Sequence, residues 1–473
     1  MPAKVTTSGD APPSARDRSS ERALARERIR TTQRLRLASA MIGAIAEKGY
    51  RATRVADVIA RAGVSRKTFY EHFANKQECL LVAYDLVADE GMRRVEQAYL
   101  EADSWPGRVE AAIRALFEAS IENPGALRLS LVEIGSVGPA GIERRERSFV
   151  RYEHFIREGL KLAPGEGTIS EMALKAVIGG LNRVLYRRRL KGEDAELLAL
   201  VPDLVSWVTS YYPTPPAILA EPRGDSSRRG RGGVAGGGGV LRGGRAPGTL
   251  APHAPLSARR GLPRGGQNVS RSFVVHSQRE RILDAVANLT AAEGYAALKV
   301  EDIVEQAAVS LKAFYEHFTG KEDAFLVAYE IGQGKGLAFT EQAYTAEPDW
   351  RLGVRAGIAA LFEFLATEPA FAHIALIDAL IATTRTAERS NAGVRAFARM
   401  LVPGAEEAPE QGPAAAVTIE AIAGGVFELC LHYALEGRIH ELPELTASAT
   451  YVALAPFLGP EEAARIAIEP AVS

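Results

Sequence analysis

Residues 62–81 read AGVSRKTFYEHFANKQECLL, and their order of turn, cap and apolar residues predicts a helix-turn-helix. A short helix predicted over 55–62 ends at Ala62-Gly63-Val64, because glycine takes the left-handed backbone of a helix C-cap at little cost. Ser65 is a suitable N-cap for a second helix over 66–73. We therefore expect two short helices joined by a tight turn.

The second helix of this motif has an apolar face and a polar face. Its apolar face, together with the turn, contributes Val64, Phe69 and Phe73, which we expect to be buried. The polar face carries Arg66, Lys67, Thr68 and Glu71. A helix that presents such side chains can enter the major groove of DNA, so the motif indicates duplex DNA as a partner.

The motif occurs twice in the chain. Residues 49–85, GYRATRVADVIARAGVSRKTFYEHFANKQECLLVAYD, return at an offset of 245 positions as 294–330, GYAALKVEDIVEQAAVSLKAFYEHFTGKEDAFLVAYE. The same offset pairs Gly179-Gly180 with Gly424-Gly425 and continues to Gly192 and Gly437. Such a period is far longer than that of a solenoid repeat, so each copy is predicted to be a complete folding unit.

The overall composition is that of a globular protein, but the two copies differ in charge. The 473 residues have a formal net charge of −1. Residues 26–76 hold 12 Lys or Arg against 4 Asp or Glu, whereas the equivalent 271–321 hold 6 against 7. A net charge of +8 in the first copy and −1 in the second indicates that the first is better suited to a polyanion.

Helical periodicity predicts an all-α fold with two tandem domains. Beyond the helix-turn-helix, apolar residues repeat at helical spacing over about 106–122, 142–161, 171–190 and 202–212, and no segment alternates as a strand does. The predicted organisation is a disordered N-terminus over 1–21, a helix-turn-helix unit over 22–73, a helical bundle over 74–212, a flexible linker rich in Gly, Arg and Pro over 213–270, a second, degenerate helix-turn-helix unit over 271–318, a second bundle over 319–465 and a tail over 466–473.

The first copy resembles the DNA-binding signature of the tetracycline-repressor (TetR) family of bacterial transcription regulators. The resemblance rests on AGVSRKTFYEHFANKQECLL and is specific over 26–85. It implies an entirely helical domain of roughly 200 residues, with a reading helix that binds an operator, a pocket for a small effector and a dimer interface near the C-terminus.

The resemblance also implies roles for individual residues. It places Ser65, Arg66, Lys67 and Thr68 against bases and phosphates, with Thr68 as our choice for base readout, and it places Tyr70, His72 and Lys76 against the phosphate backbone. The arginine-rich segment from Arg22 to Arg36 would add salt-dependent affinity. Each has a simpler alternative: Tyr70 could pack on the first helix, Arg66 and Lys67 could form a solvated face, and His72 could be a satisfied surface residue.

The second copy departs from the pattern at its reading positions. Gly63, Arg66 and Thr68 are replaced by Ala308, Leu311 and Ala313, while five residues are retained: Ser310, Lys312, Tyr315, His317 and Lys321. We therefore expect the second copy to be a weaker DNA reader, or a partner domain for the first. An exposed Leu311 would also favour contact with another protein.

The distal helices are expected to form the effector pocket and the dimer interface. By the resemblance, candidates for the interface are 171–190 and 202–212 in the first copy and 415–436 and 443–458 in the second. The Gly179-Gly180 and Gly424-Gly425 pairs would destabilise a helix interior, so we interpret them as sites of close helix approach, with room for a ligand as the alternative. Pocket residues and effector identity cannot be assigned from the sequence.

These observations predict a ligand-responsive, cytoplasmic DNA-binding repressor whose two copies form an internal pseudo-dimer. A homodimer of whole chains is the alternative assembly, and a sensor or scaffold whose helix-turn-helix units dock proteins is the alternative function. We expect no enzyme activity, because no phosphate-binding loop, nucleophile elbow or metal-spaced histidine pair is present. Cys79 and Cys430 have no metal-ligand spacing, and we expect no cofactor, no metal and no membrane partner.

Overall fold

The computed structural model describes residues 15–163, 165, 167–219, 271–379, 382–407 and 414–469. Within these ranges the chain is helical and contains no strand, and the helices of the two copies follow the same order. The all-α prediction with two tandem domains is confirmed.

The described part of the first copy contains ten α-helices. They are α1 (Ala15–Ala52), α2 (Val55–Ala62), α3 (Arg66–His72), α4 (Lys76–Leu100), α5 (Trp105–Glu122), α6 (Pro124–Leu131), α7 (Pro139–Gly159), α8 (Glu171–Lys191), α9 (Val201–Thr209) and α10 (Pro216–Leu219). Short 3₁₀ segments cover Glu133–Val137, Leu160–Leu162 and Asp194–Leu200.

The described part of the second copy adds eleven α-helices. They are α11 (Arg271–Glu293), α12 (Val300–Gln306), α13 (Leu311–His317), α14 (Lys321–Ala346), α15 (Trp350–Thr367), α16 (Pro369–His373), α17 (Thr384–Ala398), α18 (Val402–Glu407), α19 (Ala414–Leu435), α20 (Thr446–Leu458) and α21 (Pro460–Ile468). A π-helical turn over Ile374–Asp378 follows α16, and 3₁₀ segments cover Arg399–Leu401 and Ile439–Leu445.

Three expected boundaries differ from the structure. Helix α1 already begins at Ala15, so 15–21 are helical rather than disordered, and residues 1–14 lie outside the described residues. The start of the expected linker is folded, because the Thr214 N–H donates to the Thr168 carbonyl at 2.8 Å and α10 packs against α20 and α21. The rest of that linker, 220–270, lies outside the described residues, and the helix that ends at Ile468 extends past the expected end of the second bundle.

The described residues divide into two compact units, and the first contains the first helix-turn-helix. It consists of residues up to Glu90 together with Asn123–Arg144. Its core is formed by apolar side chains of α1 to α4, among which Met41, Val58, Phe69 and Phe73 are almost fully buried. Burial of such side chains, at about 25 cal/mol per Å² of apolar area, holds the short helices α2 and α3, which are too short to be stable alone.

The second unit contains the distal helices of the first copy and all of the described second copy. At its centre α8 packs against α19, the most extensive helix pairing in the described chain, and α9 and α20 pack on the same pair. The buried Tyr211 hydroxyl donates to the Val452 carbonyl at 2.9 Å, and the Tyr451 hydroxyl donates to the Tyr211 carbonyl at 3.2 Å. The two copies thus meet through helices that the sequence predicted as interfaces.

The glycine pairs lie where α8 and α19 cross. A Cβ on Gly180 would lie 2.5 Å from the Ala421 carbonyl oxygen, and one on Gly425 would lie 2.7 Å from that of Ala176. A side chain at either position would therefore force the backbones apart. Close helix approach, the interpretation favoured from the sequence, is confirmed.

One α-helix in the described chain, over Ala415–Leu435, is long and apolar enough to span a membrane by length and composition. A second candidate arises only if the sharply bent pair Trp350–Thr367 and Pro369–Asp378 is counted as one span. In the 415–435 helix, 78% of the apolar window is buried inside the protein.

Candidate nucleic-acid interface

The turn between α2 and α3 has the geometry expected from its sequence. Gly63 lies in the left-handed region, with φ 61° and ψ 41°, and its N–H donates to the Ala60 carbonyl. The Ser65 hydroxyl accepts a hydrogen bond from the Thr68 N–H at 3.0 Å and so caps α3. These two residues fix the direction of α3 relative to α2.

The start of α3 presents an exposed cationic surface. Arg66 is exposed, and the side chain of Lys67 is 87% exposed, with its Nζ 3.9 Å from a Glu71 carboxylate oxygen. Tyr70 is 48% exposed, and the Arg66 guanidinium carbon lies 5.7 Å from its ring centroid. Long, solvated side chains of this type can reach phosphates and base edges without prior unfolding.

Thr68 is less available than its neighbours. It is partly buried, and its hydroxyl lies 2.9 Å from the Ser65 hydroxyl. A base contact by Thr68 would therefore share or replace this hydrogen bond, so the assignment of base readout to Thr68 remains a prediction. Arg66 is the more exposed side chain on this turn of α3.

His72 and Lys76 both have hydrogen-bond partners inside the first unit, and their phosphate roles remain predictions. His72 is buried, and its Nε2 lies 3.2 Å from the Gln33 Oε1 of α1. Lys76 donates from Nζ to the Tyr50 and Thr53 carbonyls, both at 2.9 Å, and lies 4.0 Å from the Tyr50 ring centroid. In this arrangement Lys76 satisfies carbonyls at the C-terminal end of α1. Both side chains therefore help to hold the helix-turn-helix together, His72 as a buried residue and Lys76 as a partly buried one.

Two members of the arginine-rich segment also have internal roles. Arg36 donates to the Ala62 carbonyl at 2.6 Å, and Arg34 donates to the His72 carbonyl at 2.8 Å. These bonds satisfy carbonyls at the C-terminal ends of α2 and α3, which a helix cannot satisfy by itself. Arg28 and Arg30 are exposed, and the side chains of residues 15–26 lie outside the description. Only part of this segment is therefore available for DNA.

Arg54 is among the exposed arginines that sequence reasoning did not single out. Arg54 is exposed at the N-cap of α2, where its N–H donates to the Asp57 carboxylate at 2.6 Å. It belongs to the basic excess counted over 26–76, but no spacing rule distinguished it from the other arginines.

The second helix-turn-helix keeps the backbone of the first but not its charge. Ser310 caps α13 by accepting from the Ala313 N–H at 3.1 Å, and Ala308 keeps the left-handed turn with φ 51°. A non-glycine residue in that region is strained by about 1–2 kcal/mol. Leu311 and Tyr315 are 47% and 56% exposed, and Lys312 is exposed beside them.

The retained His317 and Lys321 have internal surroundings, as their first-copy equivalents do. The Lys321 Nζ donates to the Leu298 carbonyl at 2.7 Å and to the Tyr295 carbonyl at 3.4 Å. The His317 Nε2 is buried and lacks a hydrogen-bond partner among the described residues. The expected phosphate contacts of these two residues likewise remain predictions.

The paired helices α8 and α19 carry opposite charge. Six basic residues and one acidic residue lie on α8, whereas α19 has two glutamates and no Lys or Arg. Glu420 lies 2.7 Å from an Arg187 nitrogen and 3.6 Å from an Arg188 nitrogen, and Glu428 pairs with Arg145. At the 245-residue offset Glu420 replaces Lys175 and Glu428 replaces Arg183, so the charge is reversed at two equivalent positions.

Each copy contains an apolar cavity in its distal helices. The first encloses about 670 Å³, including its open mouth, and is lined by Val95, Tyr99, Trp105, Val109, Ala112, Ile113, Leu116, Tyr152, Phe155, Ile156, Val177, Ile178, Leu181, Asn182 and Val208. The Trp105 Nε1 there is buried and has no hydrogen-bond partner among the described residues.

The cavity of the second copy has a volume of about 730 Å³, again including its open mouth. Its wall is more polar than that of the first cavity. Tyr329, Gln333 and Ser390 line it together with apolar residues such as Phe364 and Phe427. The Gln333 Nε2 donates to the Tyr329 hydroxyl at 2.7 Å. No group of three or more His, Cys, Asp or Glu side chains in the described ranges is arranged to hold a metal ion.

Two segments of the chain match one family model. Residues 39–83 and 282–328 each match the model of the bacterial regulatory proteins of the tetR family. The matches cover α2, α3, α12 and α13, and they stand at equivalent places in the two copies. Both helix-turn-helix units of the repeat predicted from the sequence therefore match the same family model.

Two curated proteins are similar to part of the chain. The HTH-type transcriptional activator FasR of Mycolicibacterium smegmatis is 27% identical over 114 residues, which are 24% of this chain and 52% of the activator. The HTH-type transcriptional regulator CymR of Pseudomonas putida is 26% identical over 132 residues, which are 28% of this chain and 64% of the regulator. The chain therefore spans between about half and two thirds of the length of these relatives.

Two solved structures also align with part of the chain. The transcriptional regulator FadR from Bacillus subtilis in complex with stearoyl-CoA aligns with 17% identity over 37% of this chain and 96% of that protein, with a TM-score of 0.34. The fatty acid degradation regulator FadR from Bacillus halodurans aligns with 18% identity over 37% of this chain and 94% of that protein, with a TM-score of 0.35.

Proposed function

We propose that this chain, which belongs to the tetR family and carries the DNA-binding domain of that family twice, is a ligand-responsive transcription regulator that acts as an internal pseudo-dimer. The first copy supplies the main DNA-reading helix, and the second copy supplies the partner domain. Repression, by occupancy of an operator, is the expected mode of action.

The observation that carries the proposal is the exposed cationic start of α3. Arg66 and Lys67 extend into solvent from a helix that Ser65 and Gly63 hold in place. Because the surrounding segment has an excess of eight positive charges, phosphate attraction supports both affinity and rapid association. Ser65, Arg66, Lys67 and Tyr70 are the residues we assign to the interface, with Thr68 as a base reader that would share or replace its bond to Ser65.

The charge pattern of α8 and α19 supports pairing of the two copies within one chain. If two first copies paired, Lys175 would take the place of Glu420 beside Arg187 and Arg188, and like charges would face each other. If two second copies paired, His432 and Tyr433 would replace those arginines, and Glu420 would lose both ion pairs. Juxtaposed like charges at a buried interface cost several kcal/mol, so the unlike pairing is favoured.

The two cavities support a response to small molecules. Val95 and Tyr99 of α4 line the first cavity, and α4 also begins with Lys76, which holds the C-terminal end of α1. A ligand that displaces Val95 and Tyr99 therefore acts on a helix that is continuous with the helix-turn-helix. The unpartnered Trp105 N–H favours an apolar ligand that carries a hydrogen-bond acceptor.

A second candidate function, protein docking by the second helix-turn-helix, is favoured by one observation. Leu311 and Tyr315 are exposed on α13, where the first copy has Arg66 and Tyr70. An exposed leucine at the position of a reading arginine suits a protein partner better than a phosphate. The two candidates are compatible, because they assign different surfaces to the two copies.

DNA binding is tested by selecting fragments from random genomic DNA with the full chain and measuring affinity for the selected sites. We expect Arg66→Ala with Lys67→Ala to weaken binding at least tenfold, whereas Leu311→Ala with Lys312→Ala has a smaller effect. Raising the salt from 50 to 200 mM should weaken wild-type binding by about 100-fold if about four phosphates are contacted. Salt-independent binding, or a larger effect in the second copy, would contradict the proposal.

Pairing within the chain is tested by the mass of the complex. One chain per operator is expected by light scattering, and two chains would favour the homodimer. Replacing Glu420 with Lys, the first-copy residue, should loosen the pairing and make the mass depend on protein concentration. Glu441→Lys is a matched control, because Glu441 is acidic but binds Arg438 within the second copy.

A further inference from the structure

We propose that the cavity of the second copy binds an amphipathic anion whose negatively charged head is held by Arg183, a residue of the first copy. This inference rests on the proposed ligand response and deepens it, since it names the ligand class and makes one copy complete the site of the other. Its basis is a buried cation with one unpartnered guanidinium nitrogen, which lies close to two residues that line the cavity, Phe427 and Tyr329.

Arg183 is a buried cation whose guanidinium lies over the rings of Tyr186 and Phe427. It lies on α8 with 8% of its surface exposed, and its Nη2 has no hydrogen-bond partner among the described residues. Burial lowers the pKa of Arg183, and the Glu428 and Glu420 charges oppose this shift. No carboxylate in the described ranges lies within ion-pair distance of Arg183, and the two glutamates form their ion pairs with Arg145 and with Arg187 and Arg188. A buried guanidinium without such partners is costly, and an anionic ligand would offset that cost.

The side chain of Arg183 lies against residues of the second copy. Its Cβ lies close to Gly424 of α19, where a Cβ on the glycine would be only 2.5 Å away. Its guanidinium carbon lies 5.0 Å from the ring centroid of Phe427, which lines the second cavity. The glycine therefore makes room for the arginine to cross from α8 to α19.

Tyr329, which lines the second cavity, lies in the electrostatic field of Arg183. Burial raises the pKa of Tyr329 to about 12, and the nearby Arg183 charge opposes this rise. Tyr329 lines the second cavity with Gln333 and Ser390, and both residues offer hydrogen-bonding groups at the same wall. An anionic head placed between Arg183 and this polar wall would receive charge-assisted hydrogen bonds.

The remaining wall of the second cavity suits an apolar body. Leu337, Leu361, Phe364, Leu365 and Phe371 line it. The first cavity offers a natural comparison, because its wall is apolar apart from Asn182 and a few hydroxyl and indole groups, and the residue equivalent to Arg183 is Glu428, which Arg145 already neutralises. We therefore assign the anion to the second cavity alone.

The probes for this inference are decanoate, decan-1-ol and decylammonium, titrated calorimetrically into the full chain. One charge-assisted hydrogen-bonded pair is worth about 1.5–3 kcal/mol, so wild-type protein should bind decanoate about 10–100 times more tightly than decan-1-ol and should bind decylammonium most weakly. Arg183→Met should abolish the preference for decanoate and leave the affinity for decan-1-ol unchanged. Arg183→Lys, which keeps the charge, should retain a reduced preference and serves as the test if the methionine variant does not fold.

Three further variants locate the site: Leu361→Trp is the test, and Leu116→Trp and Arg189→Met are its controls. Leu116 and Leu361 are equivalent at the 245-residue offset and line the first and second cavities, respectively. Leu361→Trp should remove decanoate binding, whereas Leu116→Trp should leave it intact. Arg189→Met removes an α8 arginine that pairs with Asp194, and it should not alter the preference.

Three results would overturn the inference. They are equal affinity of the wild type for decanoate and decan-1-ol, retention of the preference in both Arg183 variants, and loss of decanoate binding in Leu116→Trp but not in Leu361→Trp. Failure of the proposed regulator function is measured separately, by DNA binding without any probe. A chain that binds DNA but shows no preference for decanoate would refute only the assignment of Arg183.

Discussion

Lys76 gives the sharpest test of what holds the first helix-turn-helix together. Its ammonium group donates two hydrogen bonds of 2.9 Å to the Tyr50 and Thr53 carbonyls and lies 4.0 Å from the Tyr50 ring centroid. Hydrogen bonds from a charged donor contribute about 1.5–3 kcal/mol each, and a cation–π contact contributes about 0.5–1 kcal/mol. Burial lowers the pKa of Lys76, so part of this gain is offset by desolvation. We expect Lys76→Met to lower the free energy of unfolding of the first unit by about 2–4 kcal/mol.

Hydrogen–deuterium exchange read by mass spectrometry suits this test, because a chain with two units need not unfold in one step. Amides of residues 37–84 should exchange faster in Lys76→Met, and those of the equivalent 282–329 should be unchanged. Lys321→Met, which removes the corresponding contacts with Tyr295 and Leu298, should show the reverse pattern. If Lys76→Met leaves exchange unchanged but weakens binding equally on selected and random DNA, Lys76 acts on phosphates and the structural role is refuted.

The remaining predictions concern readout, pH and packing. Arg66→Ala should reduce operator affinity about tenfold in a gel-shift titration, because it removes an exposed cation, while Leu311→Ala should change it less than threefold. Burial, together with Arg30 and Arg34, lowers the pKa of His72 below its ordinary 6.5, so the folded state favours the neutral ring. The stability of the first unit should therefore be complete above about pH 6.5 and decline as the pH falls through the folded-state pKa, and His72→Gln should flatten this dependence in exchange measurements. Gly180→Val should disrupt the α8–α19 crossing in thermal unfolding, whereas Gly334→Ala, which meets no neighbour within 4 Å, should stabilise α14 by about 1 kcal/mol.

The sequence was sufficient for features that depend on neighbours along the chain. Gly63 and Ser65 predicted the turn and the cap, and the structure has both. Glycine destabilises a helix interior, so the glycine pairs predicted a close approach between two helices. The structure has this close approach where α8 and α19 cross. Local backbone preference and a fixed repeat offset carried these inferences.

Features that depend on distant residues were not predictable in this way. Lys76 meets carbonyls 23 and 26 residues earlier, and His72 meets Gln33, 39 residues away. The phosphate roles of both side chains were implied by the resemblance to the family, which says nothing about their partners within this chain. Their partners are fixed by the packing of α1 against α3 and α4, which a pattern of residues does not specify.

The reversed charges on α8 and α19 explain why the duplicated domain can diverge without losing its assembly. In a symmetric pair of identical chains, every substitution occurs in both partners. An acidic residue gained at the interface must therefore be compatible with two equivalent positions. In a tandem chain the two copies can carry different residues. The second copy has Glu420 where the first copy has Lys175, and Glu420 pairs with Arg187 and Arg188 of the first copy. The second copy also has Glu428 where the first copy has Arg183, and the Arg183 Nη2 has no hydrogen-bond partner among the described residues. The first substitution favours the unlike pairing. The second places a buried cation beside one cavity only, so the asymmetry that specifies the partner also makes the two cavities chemically different.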